Sequence, residues 1–212
     1  MHKAKSWYLS VKVQKTLEAL RKNGFQTLFA PTKDDALKKA LAIIPPDAKV
    51  GIGGSVTIRE IGLADALVER GNPVLQHWDK KPEADTRALM IMELNSDIFL
   101  TSSNAITEDG KLINIDSAGN RVGAMVFGPE KVLIIAGTNK IVRDVEEGIS
   151  RVKNVAAPMN AKRLNRKTPC ALTGVCRECD TPERICSVTT TMERKPTRTD
   201  VTIMLVGEEL GF

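Results

Sequence analysis

Four cysteines, Cys170, Cys176, Cys179 and Cys186, fall inside one 17-residue window, and they are the only cysteines among 212 residues. Their spacing is Cys-x5-Cys-x2-Cys-x6-Cys. A Cys-x2-Cys clip can seed a metal site, and the flanking pair can complete a tetrahedral sulfur set. Four soft thiolates suit either structural zinc or an iron–sulfur cluster such as 4Fe-4S. Free thiols or disulfides are the remaining reading. A disulfide framework would spread its cysteines over a small secreted chain, whereas a chain of this length buries a sizeable core without staples. The spacing matches neither the bacterial ferredoxin run nor the paired clips of zinc ribbons. The two histidines, His2 and His77, lie far from the window, so histidine ligation of zinc is not expected. Arg166, Arg177 and Arg184 are near enough in sequence to offset thiolate charge.

A second set of residues could bind a small anion. Gly51-Ile52-Gly53-Gly54-Ser55-Val56-Thr57 joins an apolar strand to a helix start. Its glycines let a ligand approach the backbone, and helix N–H groups with the Ser55 and Thr57 hydroxyls supply donors. The loop lacks the Lys-Ser/Thr end of a phosphate-binding P-loop and is not Gly-x-Gly-x-x-Gly, so no nucleotide-cofactor motif is present. Thr101–Gly110 follows a buried strand with small polar residues, among them Ser103 and Asn104. In Asn114–Gly123, Asp116 and Arg121 place both charge signs in one connection, with Gly119 and Asn120 between them. Asp116 suits a general base or a hydroxyl ligand; the structural alternative pairs it with Arg121 or with local amides. Gly137-Thr138-Asn139-Lys140 is a further strand-to-helix junction. A lysine at a helix start opposes the helix dipole, which favours an anionic ligand or a carboxylate partner nearby. In open α/β sheets ligands gather beyond the carboxyl ends of the strands, so four such loops imply one shared pocket, with Asp116 and Lys140 as its candidate catalytic groups.

The elements that must position these residues follow from periodicity. Helices are expected over 4–22, from the Thr32 cap through Ile44, over 57–69, over 82–94 and over 139–153. Strands are expected at 25–29, 49–52, 74–77, 97–102, 112–115, 122–127 and 131–136. Asp109-Gly110 marks a hairpin, and 201–206 reads as an edge strand. Alternating strands and helices predict an α/β fold with a largely parallel sheet. The expected organisation is an α/β domain over 1–153 plus 199–212, with 154–198 a cysteine-rich basic segment packed on it. Trp7 and Tyr8 read as packing or interface residues. Met90 and Met92 read as core, and His77-Trp78 as a partly exposed pair or as pocket lining.

Composition narrows the classes. The chain is 42% hydrophobic with a net charge of +5, too apolar and too weakly charged for disorder. No apolar run is long enough to span a bilayer, and Met1–Gln14 lacks a secretory h-region, so a soluble cytoplasmic protein is expected. Residues 151–212 hold eleven Lys or Arg against seven Asp or Glu, four of the five net positive charges. No aromatic interleaves with them, so a nucleic-acid stacking platform is not expected.

Gly51-Ile-Gly-Gly-Ser-Val-Thr, Ser103-Asn-Ala-Ile-Thr-Glu-Asp-Gly, Asn114-Ile-Asp-Ser-Ala-Gly-Asn-Arg-Val and Ala136-Gly-Thr-Asn-Lys together resemble the LUD domain, the lactate-utilization family of the LutC/YkgG type, across roughly 10–195. The Thr168-Pro-Cys and Thr181-Pro-Glu-Arg-Ile-Cys stretches resemble its cysteine-containing subset. The resemblance implies a Rossmann-like fold of the ribose-5-phosphate isomerase/CoA transferase group (NagB/RpiA-like). It also implies a role in oxidation of lactate to pyruvate beside iron–sulfur and flavin-like redox partners. Asn104 and Ala105 stand where isomerases of that group carry an acidic loop, and Glu60 does not match the position of the transferase glutamate. The resulting expectation is a protein that binds a small anionic metabolite, a 2-hydroxy or 2-keto acid, in a redox pathway. The alternative is a non-catalytic subunit or regulator carrying a structural zinc or iron–sulfur site, favoured by the lack of an evident nucleophile–base pair. A homo-oligomer is open under both.

Overall fold

In a computed structural model, residues 2–79 and 85–212 are described. The chain begins with α1 (Lys3–Lys22), β1 (Gln26–Ala30) and α2 (Lys33–Ile43). Thr32 caps α2 as expected, its side chain accepting from the Asp35 amide. Next come β2 (Val50–Ile52), α3 (Val56–Glu60), α4 (Leu63–Arg70) and β3 (Val74–Gln76). The helix expected over 57–69 is therefore two, broken at Gly62, whose φ of +71° ends one helix and starts the next. After the described gap, α5 (Thr86–Leu94) is capped by Asp85; the part of its expected span at 82–84 lies outside the described residues.

The chain continues with β4 (Ile98–Thr101), β5 (Ala105–Thr107), β6 (Leu112–Asp116), α6 (Asn120–Val126), β7 (Lys131–Gly137) and β8 (Ile141–Val142). The strand expected over 122–127 is the helix α6. Gly119 turns the chain at φ +83°, and Asp116 Oδ2 accepts from the Val122 amide at 2.9 Å, holding the first turn. The helix expected to begin at Asn139 begins later, as α7 (Val145–Arg151), because Asp144 is its cap and a 3₁₀ turn plus β8 precede it. A π-helical turn (Val152–Ala156) joins α7 to α8 (Ala157–Arg163), so one helical run crosses residue 153. The chain closes with α9 (Pro169–Thr173), β9 (Val188–Met192) and β10 (Asp200–Val206).

Six strands form an all-parallel sheet in the order β1-β10-β7-β4-β2-β3, and a smaller mixed sheet runs β8-β5-β6-β9. β10 lies between β1 and β7, not at the edge, which explains why all of Val201 and Ile203–Val206 are buried. Side chains alternate across the large sheet. Leu133, Ile135, Met204 and Val206 pack with Ala36, Ala40, Leu63 and Leu67 on one face. Ile134, Ala136, Ile203 and Leu205 pack with Leu17, Leu20 and Met125 on the other. Each such fully buried large side chain is worth about 1.5–3 kcal/mol. Trp7 and Tyr8 do not join this core; they are 65% and 64% exposed. Met92 is also exposed, and Met90 faces a cavity. Strand order reverses around β2, with β3 on one side and β4 on the other. The crevice expected at such a switch point lies beyond the ends of β2 and β4.

Candidate functional site

A cavity of about 680 Å³ occupies that position. Its walls come from the ends of β2 (Gly53, Gly54, Ser55, Thr57), β3 (His77, Trp78) and β4 (Ser102, Ser103, Asn104). Further walls come from the β6–α6 connection (Asp116, Asn120, Arg121), from Lys140 after β7 and from the π-helical turn. Ten of the fourteen residues expected to act as catalytic or anion-binding groups line this one space. Gly51, Gly119, Gly137 and Asn139 do not. Gly51 packs on the Glu93 backbone, and Gly137 is crowded by Glu208 and Leu210. Asn139 holds residues 210–211, accepting from the Leu210 amide and donating to the Gly211 carbonyl.

Lys140 is the most deeply buried cation among the described residues, 4% exposed. Its Nζ donates to Thr57 Oγ1 at 3.0 Å and Ser102 Oγ at 2.9 Å, joining the loops after β2, β4 and β7. Burial pushes its pKa down from 10.5 to about 7, the nearby Arg151 and Arg121 guanidiniums push the same way, and the Glu60 carboxylate opposes them weakly. No carboxylate lies within ion-pair distance of it among the described residues. The ammonium is thus held by two hydroxyls that could equally orient an incoming anion.

Arg121 organises the opposite wall. It donates to Asp116 Oδ1 at 2.5 Å, Asn104 Oδ1 at 2.7 Å, Asn114 Oδ1 at 2.6 Å and the Ser102 carbonyl at 2.9 Å. With Oδ2 bound by the Val122 amide, both oxygens of Asp116 are occupied. The structural alternative for Asp116 is the one realised, and a free base is not what the geometry presents. Arg151, absent from the expected set, donates to the Asn104 and Asn139 carbonyls and braces the same loops from the helix side.

His77 has a partner no sequence pattern pointed to. Its Nδ1 is 2.8 Å from Glu93 Oε1, which also accepts the His77 amide at 2.7 Å. Glu93 is fully buried, and its Oε2 has no hydrogen-bond partner among the described residues. A buried carboxylate on Nδ1 fixes that nitrogen as the donor and leaves Nε2 to accept a proton. Trp78 lies beside Gly54, where any Cβ would collide with the indole nitrogen. The guanidinium carbons of Arg59 and Arg163 are 4.6 and 4.2 Å from its ring centroid. Burial and Arg59 both lower the Arg163 pKa. Arg59, Arg121, Lys140, Arg163 and Arg166 therefore line the cavity, with Asp116 the only carboxylate among its described lining residues.

All four cysteines line a second, small cavity of about 20 Å³ with Thr168, Arg177 and Arg184. None of them is joined in a disulfide. Arg184 fixes their loop by donating to the Cys179 and Cys186 carbonyls at 2.6 and 2.8 Å. Arg166 turns instead to the large cavity. Burial pushes the Cys186 thiol up to about 11, with Cys170 and Cys176 adding to the effect. No three His, Cys, Asp or Glu side chains among the described residues are gathered to hold a single metal ion. Ala157, Ile185 and Cys186 belong to both cavities, so one thin wall separates them.

The LUD domain family model matches residues 13–206, and the chain belongs to that family. A crystal structure of a DUF162 family protein from Deinococcus radiodurans superimposes with a TM-score of 0.56 at 15% identity, covering 93% of this chain and 98% of that one. This likeness shows the fold. No curated protein matches the chain. The LUD domain is associated with lactate utilization proteins. No helix among the described residues is long and apolar enough to cross a membrane.

Proposed function

We propose that the chain binds a small carboxylic acid with a 2-hydroxy or 2-oxo group and serves its two-electron interconversion within a redox assembly. The observation that carries this reading is Lys140, buried with no carboxylate in ion-pair reach among the described residues and held by the Thr57 and Ser102 hydroxyls in a cavity whose described lining has more cations than acids. The ammonium takes the carboxylate, and the hydroxyls orient it. His77, aligned by Glu93, accepts the proton of the 2-hydroxyl or returns it to the 2-oxo oxygen. The C2 hydrogen leaves with its electron pair as hydride to a two-electron acceptor held by a partner subunit, which passes the electrons singly to iron–sulfur centres.

The four cysteines extend this reading. A single zinc ion with sulfur at about 2.3 Å would draw tetrahedral thiolates to roughly 3.8 Å of one another. The cysteines line one space, and no three ligating side chains among the described residues are gathered to hold a single ion. An iron–sulfur cluster, whose irons stand between the sulfurs, asks for a wider sulfur spacing than zinc does and would supply a one-electron carrier. Zinc remains the comparison. A visible spectrum with metal analysis of anaerobically purified protein separates them: brown protein with iron supports the cluster, and colourless protein with zinc overturns it.

Thermal-shift titration with lactate, pyruvate, sugar phosphates and CoA esters tests the ligand. Lactate or pyruvate is expected to raise the melting temperature, and Lys140→Met to abolish the rise. No shift with any of these anions overturns the reading. A second reading, a non-catalytic subunit, is favoured by the full occupation of Asp116. Binding of the acid with no turnover by the chain alone, together with co-purification of redox subunits, would select it.

A further inference from the structure

The cavity has two kinds of wall, and an acid head group at Lys140 uses one of them. Around the ammonium the surface is polar, made by the Thr57 and Ser102 hydroxyls. Ile115, Val152, Ala156 and Phe212 also line the cavity, and they pack together in a single apolar cluster. Ile115 comes from β6, Val152 and Ala156 from the two ends of the π-helical turn, and Phe212 from the segment after β10.

That segment is fixed directly against Lys140. The Gly211 amide donates to Glu60 Oε2 at 2.6 Å, and Asn139 binds the Leu210 amide and the Gly211 carbonyl. Gly211 takes φ +61°, where a Cβ would stand 2.5 Å from Thr57 Oγ1 and 3.2 Å from Lys140 Nζ. Gly211 therefore touches the groups that hold the acid, and Phe212 is the next residue. The polar and apolar walls meet at Lys140, so a carboxylate seated there has its remaining carbons beside the apolar side. A three-carbon acid fills on the order of 100 Å³, a few water volumes. The cavity measures about 680 Å³, and carbon set against its apolar wall displaces water favourably. We propose that the acid bound at Lys140 carries an apolar substituent at C3, of branched-aliphatic or phenyl size, seated on Ile115, Val152, Ala156 and Phe212. This inference rests on the proposed acid-binding reading for the head group and deepens it by naming the rest of the molecule.

The test is calorimetric titration of the full chain with pyruvate, 2-oxoisovalerate, 2-oxoisocaproate and phenylpyruvate. A fifth probe, 2-oxoglutarate, is close to 2-oxoisocaproate in size but ends in a carboxylate, which Arg163 and Arg166 on the cavity lining could take. Affinity is expected to rise about fourfold per buried methylene, on the order of thirtyfold from pyruvate to 2-oxoisocaproate. Phe212→Ala is expected to lower the ratio of those two affinities about fivefold. The ligand series on the unaltered chain decides the matter even where that variant fails to fold. Pyruvate binding as tightly as the larger acids, or 2-oxoglutarate binding tightest, overturns the apolar substituent and leaves the acid-binding reading standing. So does a folded Phe212→Ala with an unchanged ratio. Binding of 2-oxoisocaproate that survives Lys140→Met places the ligand elsewhere and overturns the inference. Binding of none of the acids overturns the head-group reading and the inference with it.

Discussion

At the scale of single residues, Lys140 sets the chemistry and its pH dependence. The folded side chain loses its proton near 7, the unfolded one near 10.5. Below about 7 the ammonium is present in both states, so affinity for an acid anion is expected to be high there and to fall as pH rises through 7. Isothermal titration of pyruvate on either side of neutrality checks this; equal affinity on both sides would contradict it. The same shift has a stability consequence. Between 7 and 10.5 the unfolded chain binds the extra proton, so this residue's contribution makes stability rise with pH across that window. Lys140→Met removes a buried charge, and the variant is expected to melt above the parent at about pH 6, with the gain shrinking towards pH 10. Thermal melts at the two pH values measure it. Arg121 carries the opposite expectation. Arg121→Ala strands Asp116, whose side chain is only 7% exposed, and is expected to cost about 3–5 kcal/mol in chemical denaturation. Arg121→Lys restores little, because a point charge cannot reach Asp116, Asn104 and Asn114 at once.

At the scale of elements, the junctions were the readable part. A strand ending in Gly53-Gly54-Ser55 must turn and start a helix, and Ser55 does cap α3 by accepting from the Ile58 amide. The role of each glycine was not readable, because it depends on what packs against it from elsewhere. Gly54, at φ +63°, makes room for Trp78, which is 24 residues away. Gly54→Ala is expected to displace the indole, alter Trp78 fluorescence and weaken ligand binding, at a stability cost of about 1–3 kcal/mol for the strained backbone. Unchanged emission with full binding would show that the loop tolerates a side chain. The apolar run Val122–Phe127 read as a strand because neighbouring sequence carries no mark of the Asp116–Val122 hydrogen bond that starts a helix there. Glu93 was hidden for a related reason. It belongs to α5, 16 residues from His77, and only the parallel pairing of β3, β2 and β4 brings the two together.

At the scale of the whole molecule, strand order decides which loops meet, and periodicity does not encode strand order. β10 returns to the sheet interior, and the helical run through residue 153 carries Arg163 to the cavity rather than to a separate surface. Part of the basic excess after residue 150 therefore faces the pocket, where it favours a small anion over a nucleic acid. The same run brings the cysteine loop against the cavity, with Ala157, Ile185 and Cys186 as the shared wall. A common wall offers a route for coupling: if a group bound by Cys186 changes the surface the acid meets, the acid must change the affinity for that group by the same factor. Metal-loaded protein is therefore expected to bind pyruvate with an affinity different from that of protein stripped by a chelator. Pyruvate should shift the chelator concentration at half-loss of metal by the matching ratio. The two ratios come from independent measurements, calorimetry for the acid and metal analysis for the cysteines. Agreement between them, with both departing from one, would tie the cysteine site to the pocket. Two ratios of one would make the cysteines a separate structural device on the same chain.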